Sequence, residues 1–256
     1  MAKVLSLDSS TVYGIIELDM GGVGIKIVSF GGGIDSTAML IEMVKRGIKP
    51  DLILFSDVGA EKPSTYKYTE FMNDWLIANN FPQITRVFRV DKNGNRLTLE
   101  QDCLDKNCLP SIAYGYKKCS LKFKAQPQEK YVNNFQSARD FWSGGGKVIK
   151  FIGINADELR RSKIPEDAKY IYKFPLIDWN MGRDDCIRTI VDAGIPIPEK
   201  SSCFFCPSMK RYEILRLKLE YPDLFERALL LEQGAQEGLT SVKGLGRSWA
   251  WNELIS

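Results

Sequence analysis

Residues 26–37 read KIVSFGGGIDST. Ile27-Val28-Ser29-Phe30 is a short apolar, β-branched run of the kind that forms a buried strand, and Gly31-Gly32-Gly33 breaks it. From Ile34 the pattern predicts a helix to about Arg46. Glycine lets a backbone take positive φ and approach an anion closely. The helix start that follows offers unpaired N–H groups at the positive end of its dipole. A strand, a glycine turn and a helix start are therefore suited to phosphate, and a Cβ at Gly32 is expected to intrude on the phosphate space. No Lys follows the last glycine as a Walker loop requires, and the G-x-G-x-x-G spacing of a dinucleotide fingerprint is absent. The alternative, a glycine-rich turn without chemistry, is disfavoured by the strand before it and by the Asp35-Ser36-Thr37 helix entry after it.

Outward from this loop, the helix carries Met39, Leu40, Met43 and Val44 on one stripe and ends at Gly47, a common residue just past a helix. Asp51–Ser56 follows as a strand buried on both faces. Such a βαβ unit holds its ligand outside the carboxyl ends of the strands, here the glycine loop and residues 56–63. Pro63 opens a helix to about Asn79, Ile84–Val90 reads as a third strand, and an Asn93-Gly94 turn precedes a helix over Thr98–Leu104. Lys147–Ile154 and Tyr170–Phe174 supply further strands, and a helix from Arg183 stops at Gly194 before Pro196 and Pro198. Helices over Met209–Leu219 and Pro222–Glu237 close the chain. Before the loop, Val12–Leu18 with Gly21-Gly22 suggests an edge strand or hairpin. The expected class is α/β, a doubly wound, mostly parallel, Rossmann-like sheet. Residues 1–24 form an edge segment, 25–195 a nucleotide-binding core, and 196–256 a helical, cysteine-containing region packed on that core.

Composition sets bounds. The 256 residues suffice for one large domain or a domain with an appendage, and 44% hydrophobic content is ordinary for a globular protein. No run approaches the roughly 18 apolar residues of a membrane span, and no basic region precedes an apolar core at the start, so a cytoplasmic protein is expected. A net charge of +3 does not argue for nucleic acid, although Lys117, Lys118, Lys122 and Lys124 form a denser cluster. Without any His, acid–base chemistry falls to carboxylates, Lys, Cys or the substrate. Six cysteines in such a chain read as metal, cluster or redox chemistry before disulfides.

The loop resembles the SGGxDS pyrophosphate loop of the PP-loop ATP pyrophosphatases, with Gly31 where that family has its first Ser. Other segments resemble the 3′-phosphoadenylylsulfate (PAPS) reductase family within it. Asp57, Gly59, Pro63 and Thr65 match its D-T-G-x-x-x-P-E-T sequence, with Val58 and Ser64 replacing the first Thr and the Glu. Cys119, Ser120, Lys124 and Pro127 match a C-S/T-x-x-x-K-x-x-P run, and Pro175-Leu176 with Trp179 a P-L-x-x-W. In G-x-R-x-x-E-S-x-x-R, Gly153 and Glu158 keep their places, Asn155 and Leu159 replace Arg and Ser, and Arg161 falls one residue short of the last Arg.

The resemblance implies an adenine nucleotide alpha hydrolase fold. It further implies ATP bound with Mg²⁺ and cleaved to AMP and pyrophosphate, activating an acceptor for sulfur transfer. In that scheme the nucleotide lies against Ser29, Phe30, Gly31, Gly32, Gly33, Asp35, Ser36, Thr37, Asp57 and Gly153. Asp35, Ser36, Lys124 and Arg161 carry the chemistry, Asp35 positioning the metal and Asp57 lying near the ribose. A reductase of this family attacks with a Cys near its C-terminus, and no Cys follows Cys206 in this chain. PAPS or adenylylsulfate reduction with an external thiol stays open, as does a non-catalytic nucleotide or nucleic-acid binding module. The expected partners are the adenine nucleotide, a nucleotide or nucleic-acid acceptor and a sulfur donor of unassigned identity; the oligomeric state is open, a homodimer included.

Cys203-Phe204-Phe205-Cys206 turns both sulfurs toward one point. A thioredoxin-like dithiol conflicts with the rest of the pattern. Zinc needs four ligands, all cysteine or partly carboxylate here; an iron–sulfur cluster takes three or four thiolates from separated segments; buried free thiols are the third reading. Relatives that move sulfur carry a cluster beside the ATP site, which implies a 4Fe–4S group, or Zn²⁺ in its place, on Cys119, Cys203 and Cys206 with Cys108 or Cys103 as fourth ligand. Lys117, Lys118 and Lys200 nearby are expected to lower the thiol pKa values. Cys186 reads as core.

Overall fold

The structure is a computed structural model that describes residues 24–254; the expected hairpin at Val12–Leu18 and Gly21-Gly22 lies outside them. In chain order its main elements are β1 (Lys26–Phe30), α1 (Ile34–Lys45), β2 (Leu52–Ser56), α2 (Pro63–Ala78), β3 (Ile84–Val87), β4 (Arg89–Val90), β5 (Arg96–Leu97) and α3 (Leu99–Asp105). A long helix α4 runs through Lys118–Ser120, a π-helical stretch Leu121–Ala125, and Gln126–Asn133. There follow α5 (Gln136–Ser143), β6 (Val148–Ile152), β7 (Tyr170–Lys173), the single turn α6 (Pro175–Asp178), α7 (Arg183–Asp192), α8 (Arg211–Glu220) and α9 (Pro222–Ala235).

Five strands form one parallel sheet in the order β3-β2-β1-β6-β7. Alternation along the central strands sends side chains to opposite faces. Val28, Phe30, Ile53 and Phe55 pack with Met39 and Met43 of α1, Met72 of α2 and Ile190 of α7. Ile27, Leu52, Leu54 and Val148 pack on the other face with Val132 of α4 and Ala138 of α5. The sheet is thus covered on both sides, as a Rossmann-like doubly wound fold requires.

Two local readings need correction. The third strand stops at Val87 rather than Val90, and Arg89–Val90 pairs antiparallel with Arg96–Leu97 instead. The Asp91 carboxylate accepts from the backbone N–H of Asn93 and Asn95, each at 2.8 Å, which closes the chain into a hairpin with Gly94 at φ +87°. The stretch around Lys117–Pro127, poor in periodicity, is helical with a π turn. Pro127 has no N–H to donate and its ring crowds the carbonyl four residues back, at Phe123, so the helix widens there.

The C-terminal helices build a second core around Phe204, Phe205, Ile214, Leu217, Phe225 and Trp251, which also takes in Val58, Leu99, Cys103 and Phe123. Glu232, 1% exposed, ties the last segment down: its carboxylate accepts from the backbone N–H of Leu245 (2.6 Å), Trp251 (3.0 Å) and Asn252 (3.3 Å). Replacing Glu232 by Ala leaves these donors without their charged acceptor, and should cost about 2–3 kcal/mol in urea unfolding and free the tail to proteolysis.

Candidate functional site

At β1 the chain turns first to β2 and β3 and later returns on the other side to β6 and β7, so the exit loops of β1 and β6 part and leave a crevice. That crevice is a cleft of about 970 Å³, within the range of nucleotide-sized sites. Lys117, Lys124, Lys150, Arg161, Arg183 and Lys200 line it against four carboxylates, Asp35, Asp157, Glu158 and Glu199. The excess of cations suits a polyanion.

The glycine loop forms one wall. Gly32 has φ +68°, and a Cβ there would face Thr65, Phe55 and Thr69 at 3.4–3.7 Å, beneath the loop. Glycine is therefore required by the backbone conformation and not by intrusion of a Cβ on a phosphate. The Ser36 hydroxyl donates to the Gly33 carbonyl (3.1 Å) and accepts from the Gly31 N–H (3.2 Å), so the loop is held in shape by the helix it precedes. Ser201 Oγ donates to the Gly31 carbonyl at 2.5 Å, latching the loop to the segment before Cys203. Gly153 ends β6 where a Cβ would stand 2.8 Å from the backbone N and Cα of Ser36. Only glycine lets that strand end meet the first turn of α1.

Of the residues expected to bind nucleotide, Ser29, Phe30, Gly31, Gly33, Asp35, Ser36 and Gly153 line the cleft. So do Lys124 and Arg161. Gly32, Thr37 and Asp57 do not. Thr37 is fully buried in α1. Asp57, 5% exposed, is occupied elsewhere: it accepts from Gly59 N–H and Tyr66 O–H, each at 2.8 Å, and pairs with Arg96 at 2.7 Å. Burial first, then the Asp57 hydrogen bond, pushes the Tyr66 phenol well up.

Asp35 is paired on both oxygens, with Arg183 Nη1 at 2.7 Å and Asn155 Nδ2 at 3.1 Å. Beneath the cleft, Ser29 Oγ donates to Gln128 Oε1 (2.7 Å), Gln128 Nε2 to Ser56 Oγ (3.0 Å), and Ser56 Oγ to the Lys124 carbonyl (2.8 Å). This chain seats α4 on the ends of β1 and β2. Lys150, 7% exposed on β6, is lowered from its ordinary pKa by burial. Sequence reasoning missed Gln128, Lys150 and Arg183; an Arg opening a helix, against the dipole, was the one available signal.

Lys124 joins the cleft to the cysteines. Its Nζ donates to Glu61 Oε1 at 3.1 Å. Burial by itself lowers this ammonium, but Glu61 and then Cys203 more than offset it, so the net direction is upward. Glu61 is 3% exposed and its Oε2 has no hydrogen-bond partner. Glu61 and Cys203 face each other in an antiparallel bridge, which puts their side chains on one side.

Four of the six cysteines, Cys103, Cys119, Cys203 and Cys206, share the second core, and the Cys108 N–H donates to the Cys103 carbonyl at 3.0 Å. Cys186 lies apart, fully buried under α1. The expected lowering is corrected at Cys203 and Cys206. Burial raises Cys103, Cys203 and Cys206, Glu61 raises Cys203 further, and Lys124 and Lys200 only oppose this. Among the described residues no three His, Cys, Asp or Glu side chains stand in a preformed metal geometry. By its chemistry the donor set suits a thiolate-bound metal, since the soft ligands come from three segments and a buried carboxylate oxygen, Glu61 Oε2, has no hydrogen-bond partner.

Fold and site together define a Rossmann-like α/β protein with a glycine loop opening onto a cationic cleft, and a cysteine cluster at its edge. No family model matches the chain. Two uncharacterized proteins of Methanocaldococcus jannaschii are similar to it: one is 25% identical over 236 residues, covering 88% of this chain and 51% of that protein, and the other 24% identical over 246 residues, covering 88% and 45%. The chain thus spans about half the length of the curated relatives it matches. Among solved structures, the U34-tRNA thiolase NcsA from Methanococcus maripaludis, with its 4Fe–4S cluster, aligns over 94% of this chain and 84% of that chain at 14% identity, with a TM-score of 0.42. Among the described residues no helix is long and apolar enough to cross a membrane.

Proposed function

We propose that the protein is a PP-loop ATP pyrophosphatase resembling the PAPS reductase family, which cleaves ATP to AMP and pyrophosphate and activates an acceptor oxygen for sulfur transfer. The observation that carries this reading is the glycine loop at the switch point, where Gly31 and Gly33, turned by Gly32 in the left-handed region, and the first turn of α1 line a cleft with six cations. The Gly31 to Gly33 amides and Ser36 hold phosphate, the Gly31 N–H and the Ser36 hydroxyl exchanging their mutual bond for it, and Asp35 holds Mg²⁺. Lys124 and Arg161 offer charge where the α–β bond breaks. The acceptor is a nucleotide or nucleic acid, drawn to the lysines at the start of α4, of which Lys117 lines the cleft.

Cys119, Cys203 and Cys206, with Cys108 or Cys103, would hold an iron–sulfur group or zinc; when bound, the former supplies an iron site for sulfur, the latter a structural staple. Glu61 and Lys124 keep this site adjacent to the cleft. The cysteine cluster favours a sulfur-handling enzyme over a plain nucleotide-binding module.

Anaerobically purified protein given ATP and Mg²⁺ should release AMP and pyrophosphate in equal amounts; ADP and phosphate, or no turnover with any nucleic acid added, would overturn the reading. With iron and zinc both supplied, a cluster protein should be brown, contain iron and acid-labile sulfide, and bleach in air. A zinc protein should be colourless and sensitive to chelators. Cys119→Ser, Cys203→Ser and Cys206→Ser should each lose the bound metal, whereas Cys186→Ser should retain it.

A further inference from the structure

The cations of the cleft differ in what holds them. Lys124 is committed to Glu61, Lys200 to Glu213 and the Ser208 carbonyl, and Arg161 to Glu158 on its own turn. Of these and Arg183, it is Arg183 whose partner belongs to the helix that follows the glycine loop: Nη1 donates to Asp35 Oδ1 at 2.7 Å, two residues beyond Gly33. Stability does not explain this side chain. It begins α7, where the positive end of the helix dipole disfavours a cation, and at 47% exposure its ion pair is worth little. Asp35 does not depend on it either, because Asn155 Nδ2 holds the other carboxylate oxygen at 3.1 Å.

We propose that Arg183 is the phosphate clamp of this cleft, held in reserve by Asp35, and that its ligand is the polyphosphate chain of the nucleotide. The inference rests on the nucleotide reading above. Asp35, kept in place by Asn155, would be a ligand of Mg²⁺ and would then release the guanidinium to a phosphate oxygen beside the α1 N-terminus. The fork of a guanidinium matches two phosphate oxygens, which a lysine cannot do.

The test uses opposite ends of one ion pair. ATP and inorganic pyrophosphate are titrated calorimetrically into wild type, Arg183→Gln, Arg183→Lys and Asp35→Asn, with Mg²⁺ and in EDTA. Arg183→Gln should weaken both anions at least about tenfold with Mg²⁺ and less in EDTA, where Asp35 still holds the guanidinium, and Arg183→Lys severalfold with Mg²⁺, as expected for a lost charge-assisted contact. Asp35→Asn should bind more tightly than wild type in EDTA, its competing charge gone and Arg183 released, yet gain little from Mg²⁺. If the pair only braces α1 against α7, both partners' variants will lower the melting temperature and shift affinity in the same direction, and the clamp is refuted. Unchanged affinity in Arg183→Gln, or in Arg183→Lys should the former not fold, also refutes it. Wild-type protein that binds neither anion overturns the nucleotide reading itself, and the clamp with it.

Discussion

Gly153→Val should unfold the switch point. A Cβ at this position stands 2.8 Å from Ser36 N and Cα and 3.1 Å from the Asp35 carbonyl carbon, all backbone atoms of the first turn of α1. A flexible side chain could move aside at little cost, but a helix start cannot. α1 is anchored by Met39, Leu40, Ile41 and Met43, each 1% exposed or less, so retreat of the helix would open the core it fills. The cost should reach at least about 3 kcal/mol in chemical denaturation, beyond the usual overpacking penalty because both sides of the clash are backbone. Whatever fraction folds should bind no ATP, since the loop and the helix N-terminus move together. Gly31→Ser provides the contrast. Its nearest neighbour would be Ser36 Oγ at 3.8 Å and its φ is not left-handed, so the variant should fold like wild type. A Gly153→Val protein as stable as Gly31→Ser would remove the close approach from the account of this site.

Lys124→Met should be the second severe change, and its cost comes from the partner. The Glu61 side chain is fully buried, with one oxygen on Lys124 Nζ and the other unpartnered. Without the ammonium it becomes an unpaired buried charge. Breaking such a pair from one side costs 3–5 kcal/mol when both groups are buried; because Lys124 is 38% exposed and water reaches it, about 3 kcal/mol is expected here. Lys124 is raised above its ordinary 10.5, so its contribution is fully present below that pH and is lost as pH rises through the higher folded value. The stability gap between wild type and variant should therefore be constant across neutral pH and narrow only in strong alkali. Adding Glu61→Gln to Lys124→Met should recover most of the loss, a coupling that urea midpoints of the four proteins will measure. Equal losses from Lys124→Met with and without Glu61→Gln would mean that Lys124 acts through packing alone.

Much of this molecule could be read along the chain. The alternation of apolar runs with helical periodicity, and the glycine and proline stops, determined a doubly wound α/β sheet with the glycine loop at the end of β1. Those signals are local: strand and helix periods, turn chemistry and caps act within a few residues. The positive φ of Gly32 and the helix entry at Ile34 belong to the same class. The path after β3 differs because the turn closed by Asp91 pairs Arg89–Val90 with Arg96–Leu97 and not with the main sheet.

Tertiary structure alone decided which side chains share the cleft. Asp57 follows a strand as directly as the glycine loop does, yet Tyr66 and Arg96 claim its carboxylate. Arg183 lies 148 positions after Asp35 and Lys124 lies 63 after Glu61, and no periodicity relates residues so far apart. The sign of the thiol shifts was also hidden. Lys200, close in sequence to Cys203 and Cys206, promised lower values there, but burial in the second core and, at Cys203, the carboxylate of Glu61 prevail, because desolvation depends on everything packed around a group and not on its neighbours in the chain.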